Sequence, residues 1–288
     1  MRTLNQYILM LFSFINTVLL AMVLYFFFAP MGGQAYPGQE NNPLLAIYYF
    51  LIIIIFTLVM LFLLRRRKEH FLKGFYFVAI GLILFLIFSV VLSYIIPGIL
   101  AYYLPTIFAL IIGIFVPIYM YKKQNWMVTN IVGIIVAGGS AAVLGTNIGI
   151  IPVVLFLVIL IFYDLYAVKF SKHMITLAEG TVKSGLPALF IFPDSDAINV
   201  NEIKKDGERS TMFMGFGDAA IPSILIVSVM YNYNLTVTFF TLAGTFIGLF
   251  ILFIFLRYGK PLPGLPFLNT GALLGLLIYL ISSGIIKI

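Results

Sequence analysis

The sequence has no cysteine, only two histidines and one tryptophan, and charged residues make up just 9% of it. Without cysteine, disulfides, thiolate catalysis and Cys-based metal sites are excluded. His70 and His173 both fall in polar, loop-like stretches, which argues against a buried His-rich metal centre, so neither metal nor cofactor is expected. The scarcity of charge excludes more. A soluble domain carries about 25% charged residues. A chain that is 62% hydrophobic cannot cover a water-facing surface, so the fold class is an all-α polytopic membrane protein with the lipid bilayer as its surroundings. The net charge of +7 then speaks to orientation in the membrane rather than to nucleic acid.

A spanning helix needs ~20 mostly apolar residues. Nine stretches qualify: Tyr7–Ala29, Leu45–Leu64, Phe75–Ile96, Leu104–Tyr121, Trp126–Leu144, Gly149–Phe170, Thr211–Tyr231, Thr236–Leu256 and Pro263–Ile285. The first exceeds the ~7–15 apolar residues of a signal-peptide core and reads as a retained anchor. Lys and Arg alternate between the connections. They fill the N-terminus (Arg2), the second loop (Arg65, Arg66, Arg67, Lys68, Lys73), the fourth (Lys122, Lys123), the sixth and the eighth (Arg257, Lys260). The odd-numbered loops have none, and only Lys287 lies on the other side. Because cytoplasmic loops carry the excess of bases, nine spans with the N-terminus inside and the C-terminus outside are predicted. The organisation is one integral-membrane unit: spans one to six over 1–170, a cytoplasmic loop over 171–210, and spans seven to nine over 211–288. Within the loop, "LPALFIFP" (Leu186–Pro193) is too short to span and is expected to pack on the membrane surface or on the bundle, while "NVNEIKKDGERS" reads as flexible and solvated.

Of the ten acids, Glu40 and Glu69 fall in the first two loops and six fall in the long loop. The other two, Asp164 and Asp218, lie inside spans, and no Lys, Arg or His lies deep in any span to pair with them. An Asp at a helix centre costs about 2.5–3.5 kcal/mol on insertion scales, and an intramembrane acid is a functional hypothesis by default. Counted from the sixth and seventh span ends, both sit ~9–11 Å in from the same face at 1.5 Å per residue. Consecutive antiparallel helices let them meet. Gly215 and Gly217 flank Asp218 without side chains, and Pro222, four residues on, cannot donate to the Asp218 carbonyl. Two close carboxylates sharing one proton can act as general base toward water and general acid toward a leaving amide.

Two competing readings use the same residues. Each Asp could be satisfied separately by neighbouring Tyr, Ser or Thr hydroxyls in a structural scaffold, which predicts no hydrolysis. The pair could serve a proton-coupled transporter or channel, as carboxylates do in proton relays. An inhibitor that mimics the aspartic-protease transition state would separate protease from transporter.

At the entry to the ninth span, "GKPLPGLPFLNTGALLG" keeps the chain extended through Pro261, Pro263 and Pro266 before a helix can begin. This stretch lies at the level of the two acids, and an extended backbone there suits strand-type pairing with a substrate. "GTFIG" (Gly244–Gly248), "GALLG" (Gly271–Gly275) and "AGGSAA" (Ala137–Ala142) read as close-packing faces within the bundle. Asn234-Leu235-Thr236 matches a glycosylation sequon but abuts the membrane.

"YD" at Tyr163–Asp164, "GFGD" at Gly215–Asp218 and "PGLP" at Pro263–Pro266 resemble the YD, GxGD and PAL motifs of presenilins and signal peptide peptidases, the intramembrane aspartyl proteases. GxGD alone is a short pattern. All three in order, on the sixth, seventh and ninth spans with a long loop between the Asp spans, make a specific one, and the resemblance extends over nearly the whole chain. It implies a presenilin-like bundle, with Asp164 and Asp218 as the catalytic pair and a spanning helix of another protein as substrate. It also implies that Tyr163, Gly215, Phe216, Gly217, Pro263, Gly264, Leu265 and Pro266 shape the site or touch substrate. Gly264 departs from the family's usual Ala. The resemblance further implies that residues about Arg209–Met214 pair as a strand with bound substrate, and that the 171–210 loop can be cut in maturation. The small size suggests a microbial, archaeal presenilin homologue. Signal peptide peptidases, which cleave remnant signal peptides, sit inverted; the basic residues here give the presenilin sense, whose substrates have their N-terminus outside. The sequence leaves homo-oligomerisation open.

Overall fold

The computed structural model of the chain describes residues 4–66, 69–96, 103–123, 125–169, 186–193, 211–257 and 262–284. Helices α1 (Leu4–Phe28), α2 (Leu44–Arg65), α3 (Glu69–Ile95), α4 (Leu104–Lys123), α5 (Trp126–Asn147) and α6 (Ile150–Lys169) precede two short strands, β1 (Leu189–Phe192) and β2 (Met212–Gly215). Helices α7 (Phe216–Asn232), α8 (Leu235–Leu256) and α9 (Leu265–Ser282) follow. Eight of these are long and apolar enough to cross a membrane, and α7 is a shorter apolar helix. Side-chain caps fix two of the starts. Asn125 accepts from the Met127 amide at 2.8 Å ahead of α5, and Asn234 accepts from Thr236 and Val237 at 3.0 and 3.2 Å ahead of α8. The sequon-like Asn234 is therefore a helix cap.

Small residues bring the helices together. Gly244 and Gly248 on α8 abut Gly271, Gly275 and the Phe267 carbonyl on α9, with a Cβ at Gly244 coming within 3.0 Å of the Gly275 backbone. These glycine patterns pack helices inside the bundle, as expected from the sequence. Gly138 of the "AGGSAA" face lies against the α1 backbone, where a Cβ would meet the Thr17 carbonyl oxygen at 2.9 Å.

Two features differ from the sequence reading. The fold is not wholly helical. β1 and β2 form a two-stranded antiparallel sheet, with Leu189 opposite Gly215, Phe190 opposite Met214, Ile191 opposite Phe213 and Phe192 opposite Met212. Of the two places expected for "LPALFIFP", the membrane surface and the bundle, it takes the bundle: Phe190 and Phe192 are fully buried with Phe14 of α1, Leu249 of α8 and Leu268 of α9. Nor is Thr211–Tyr231 one helix. Residues 212–215 are extended because β1 offers them a strand partner, and helix begins only at Phe216, after Gly215 with φ −63° and ψ 143°. The "NVNEIKKDGERS" stretch, expected to be flexible and solvated, lies outside the described residues, as do Pro261 and His173.

Candidate active site

β2 runs directly into α7, and this junction places Asp218. Asp218 falls at the third helical position, where its carboxylate accepts from the Gly215 amide at 3.2 Å. This is the acidic half of a capping box, and a carboxylate there also meets the positive end of the helix dipole. Asp218 is therefore two residues into its helix, not seven into a span as counted from the sequence. Asp164 lies on α6, five residues before Lys169, and is buried with 2% exposure. It accepts from the backbone N–H of Leu265, the first residue of α9, and lies within electrostatic reach of Asp218. Its Oδ1 has no hydrogen-bond partner among the described residues.

The α9 entry closes the site. A Cβ built at Gly264 would stand 3.1 Å from the Asp218 Cγ and Oδ2. Asp164, Asp218, Gly264 and Leu265, drawn from three helices, thus converge at one point, with Pro263 half-buried and Pro266 buried beside them. Gly215 also faces Asp218, with a Cβ there 3.4 Å from Oδ2. The other predicted residues take different places. Gly217 is exposed, and a Cβ there would meet only Ile221 at 3.7 Å. Phe216 turns inward, edge-on to Phe190 at 4.7 Å and over Gly133 of α5, where any Cβ would strike its ring. Tyr163 stacks edge-to-face on Phe50 of α2 at 5.6 Å. An apolar cavity of about 220 Å³ lies among α2, α5, α6 and α7, lined from Ala220 and Ile221 down to Phe156, Val153 and Leu144, and neither Asp lines it.

Sequence reasoning missed the residues that hold the sheet. Asn130 of α5 donates from Nδ2 to the Ile191 carbonyl and accepts from the Ile191 amide, both at 2.8 Å. Gln6 of α1 donates to the Phe192 carbonyl at 3.0 Å. Both side chains are buried. Two polar amides inside apolar helices were the only available signal. Because Ile191 gives both main-chain groups to Asn130, its pairing with Phe213 is the non-hydrogen-bonded kind. Phe213 consequently turns its N–H and C=O to the outer edge of β2. Among the described residues, no group of three or more His, Cys, Asp or Glu could hold a metal ion.

The profile of the family described as signal-peptide peptidase, presenilin aspartyl protease matches residues 8–285. One crystal structure of a presenilin family intramembrane aspartate protease, in space group C222, superposes with a TM-score of 0.68 at 29% identity, covering 94% of this chain and 97% of that one. Another, in space group P2, gives a TM-score of 0.62 at 29% identity, covering 98% of each chain. No curated relative matches the chain. The match over nearly its full length means that the chain belongs to the signal-peptide peptidase, presenilin aspartyl protease family and is an intramembrane aspartyl protease.

Proposed function

We propose that Asp164 and Asp218 are the catalytic pair and that the chain cleaves peptide bonds within spanning helices of other membrane proteins. The observation that carries this reading is the convergence of two helix-borne carboxylates on the Gly264–Leu265 turn, each accepting from a main-chain amide. In the mechanism, the ionised member of the pair takes a proton from a water, and that water attacks the scissile carbonyl. The protonated member donates to the carbonyl oxygen and then to the departing amine. The pair titrates as one unit, so neither role is tied to one residue.

A helical peptide bond is shielded by its own hydrogen bonds, so the substrate has to unwind before attack. The outer edge of β2 suits the unwound segment: Phe213 offers it one donor and one acceptor, five residues ahead of Asp218. Apolar substrate side chains then lodge in the cavity beside Ile221.

The topology we assign is nine crossings in one catalytic unit, 1–170 and 211–288, joined by the 171–210 loop. At ~1.5 Å per residue the 17 residues of α7 reach ~26 Å; four more residues of β2 at ~3.3 Å each extend this past the ~30 Å hydrocarbon core. The distribution of Lys and Arg supports a cytoplasmic N-terminus and an active site toward the cytoplasmic leaflet of a cell membrane. Substrates would then be helices with their N-terminus outside, rather than remnant signal peptides of the opposite polarity. The test is proteolysis of a model spanning peptide by protein purified into liposomes. Asp164→Ala and Asp218→Ala should each abolish cleavage while leaving the melting temperature near wild type. Full activity in either variant refutes the assignment.

A further inference from the structure

Three stripes of side chains face one another beneath the carboxylates. On α6, Asp164 is followed toward the far leaflet by Leu160, Leu157 and Val153. On α7, Asp218 is followed by Pro222, Leu225 and Val229. On α9, Leu265 is followed by Asn269, Ala272 and Leu276. Each series steps by four, three and four residues, the spacing of one helix face. The lower two members of all three stripes belong to a single buried cluster, and the first members meet at the active site. The second rung is therefore Leu160, Pro222 and Asn269.

That rung carries a polar anomaly. Asn269 is fully buried, and neither its Nδ2 nor its Oδ1 has a hydrogen-bond partner among the described residues. Buried side-chain amides are almost always satisfied by protein or by ordered water, and an unsatisfied one deep in a membrane bundle is costly. Two further oxygens on the same side of the bundle have room for a donor. Among the described residues Asp164 Oδ1 is unpaired, and the Asp218 carbonyl receives no donor from the residue four ahead, because Pro222 has no N–H. In a helix the Cβ leans toward the N-terminus, so the Asn269 amide leans up toward Leu265 and Asp164.

We propose that Asn269 binds water on the membrane-interior side of the catalytic pair and is a positioning residue for the attacking water. Its amide donates to one or two water molecules, which in turn donate to Asp164 Oδ1 and the Asp218 carbonyl. This meets the two to four polar partners that a buried water takes. The proton lost by the attacking water still passes to the ionised carboxylate; Asn269 exchanges none. The inference rests on the reading of Asp164 and Asp218 as the catalytic pair.

The experiment compares Asn269→Thr with Asn269→Val, which differ by a hydroxyl against a methyl. Both are assayed in liposomes on a model spanning peptide, with D164N and D218N alongside. The expected result is a kcat within about threefold of wild type for N269T and at least tenfold lower for N269V, the scale of a misplaced reactant. KM should be little changed in both, and the melting temperature of N269V should equal or exceed wild type, because a buried group without a protein partner has been removed. A purely structural role would instead lower that melting temperature. Equal turnover by N269T and N269V, fast or slow, overturns the proposal; should either misfold, Asn269→Ser and Asn269→Ala carry the same comparison. Cleavage by D164N or D218N would instead bring down the catalytic pair itself, a failure read independently of the Thr–Val comparison.

Discussion

Replacing Asn130 with Leu tests how the β1–β2 sheet ahead of Asp218 is held. Asn130 makes two 2.8 Å hydrogen bonds to one residue, Ile191, and so stands in for a neighbouring strand on the closed edge of β1. Leucine has a similar volume and no polar atom. It strands one buried N–H and one buried C=O, each costing about 1–3 kcal/mol. The sum is about 2–6 kcal/mol. The lower half of that range is expected, because Gln6 still holds Phe192 and the β1–β2 ladder persists. About 2 kcal/mol already corresponds to a shift of roughly 30-fold in the population of the closed sheet. Three measurements on N130L in detergent should agree. The melting temperature falls, hydrogen exchange quickens in peptides covering 186–193 and 211–215, and cleavage slows by an order of magnitude or more as β2 loses its backing. Wild-type exchange and wild-type cleavage in a folded N130L would refute the reasoning, since the two bonds would then carry no free energy.

Two other substitutions probe the site. Gly264→Ala puts a methyl 3.1 Å from the Asp218 carboxylate, a contact a shift of a few tenths of an ångström relieves, so activity should fall only a few-fold. Gly264→Val adds branches that no such shift accommodates and should cost about 100-fold or more in kcat; single-turnover cleavage of both variants checks the gradation. Phe213→Pro removes the N–H that Phe213 turns to the open edge of β2 without touching a bond to β1. We expect cleavage to be lost and the melting temperature to change little, and a fully active F213P would exclude strand pairing at that residue.

The helices were legible because an apolar run of about twenty residues has few other readings. The two acids stood out for the same reason, as the only acids in such runs. Beyond the strand at about Arg209–Met214 that the resemblance implied, the sheet was hidden by its size. Four apolar residues carry no period that separates strand from helix, and "MFMG" joins an apolar run that continues as helix. Its partner "LFIF" lies about twenty residues away in sequence, in a loop otherwise rich in charge. What decides the matter is tertiary: Asn130 and Gln6 reach β1 from two other helices, and Gly133 leaves room for the rings of Phe216 and Phe190. Such arrangements leave no local trace beyond a polar residue or a glycine in an unexpected place. Asp218 was found by type and order, but its position in the first turn of α7 follows from where β2 stops.

Both carboxylates are moored by backbone, through the amides of Gly215 and Leu265, and a backbone amide is the one donor that ordinary mutation cannot delete. Drift at those positions can alter bulk and shape yet leave the moorings in place; only proline cuts them. At the α9 entry, prolines already occupy 263 and 266, so the donors available there are confined to 264 and 265. A one-residue slip of this helix that brought Pro266 to the place of Leu265 would present a ring nitrogen to Asp164 and cast it loose, which checks the seating of α9 in that direction.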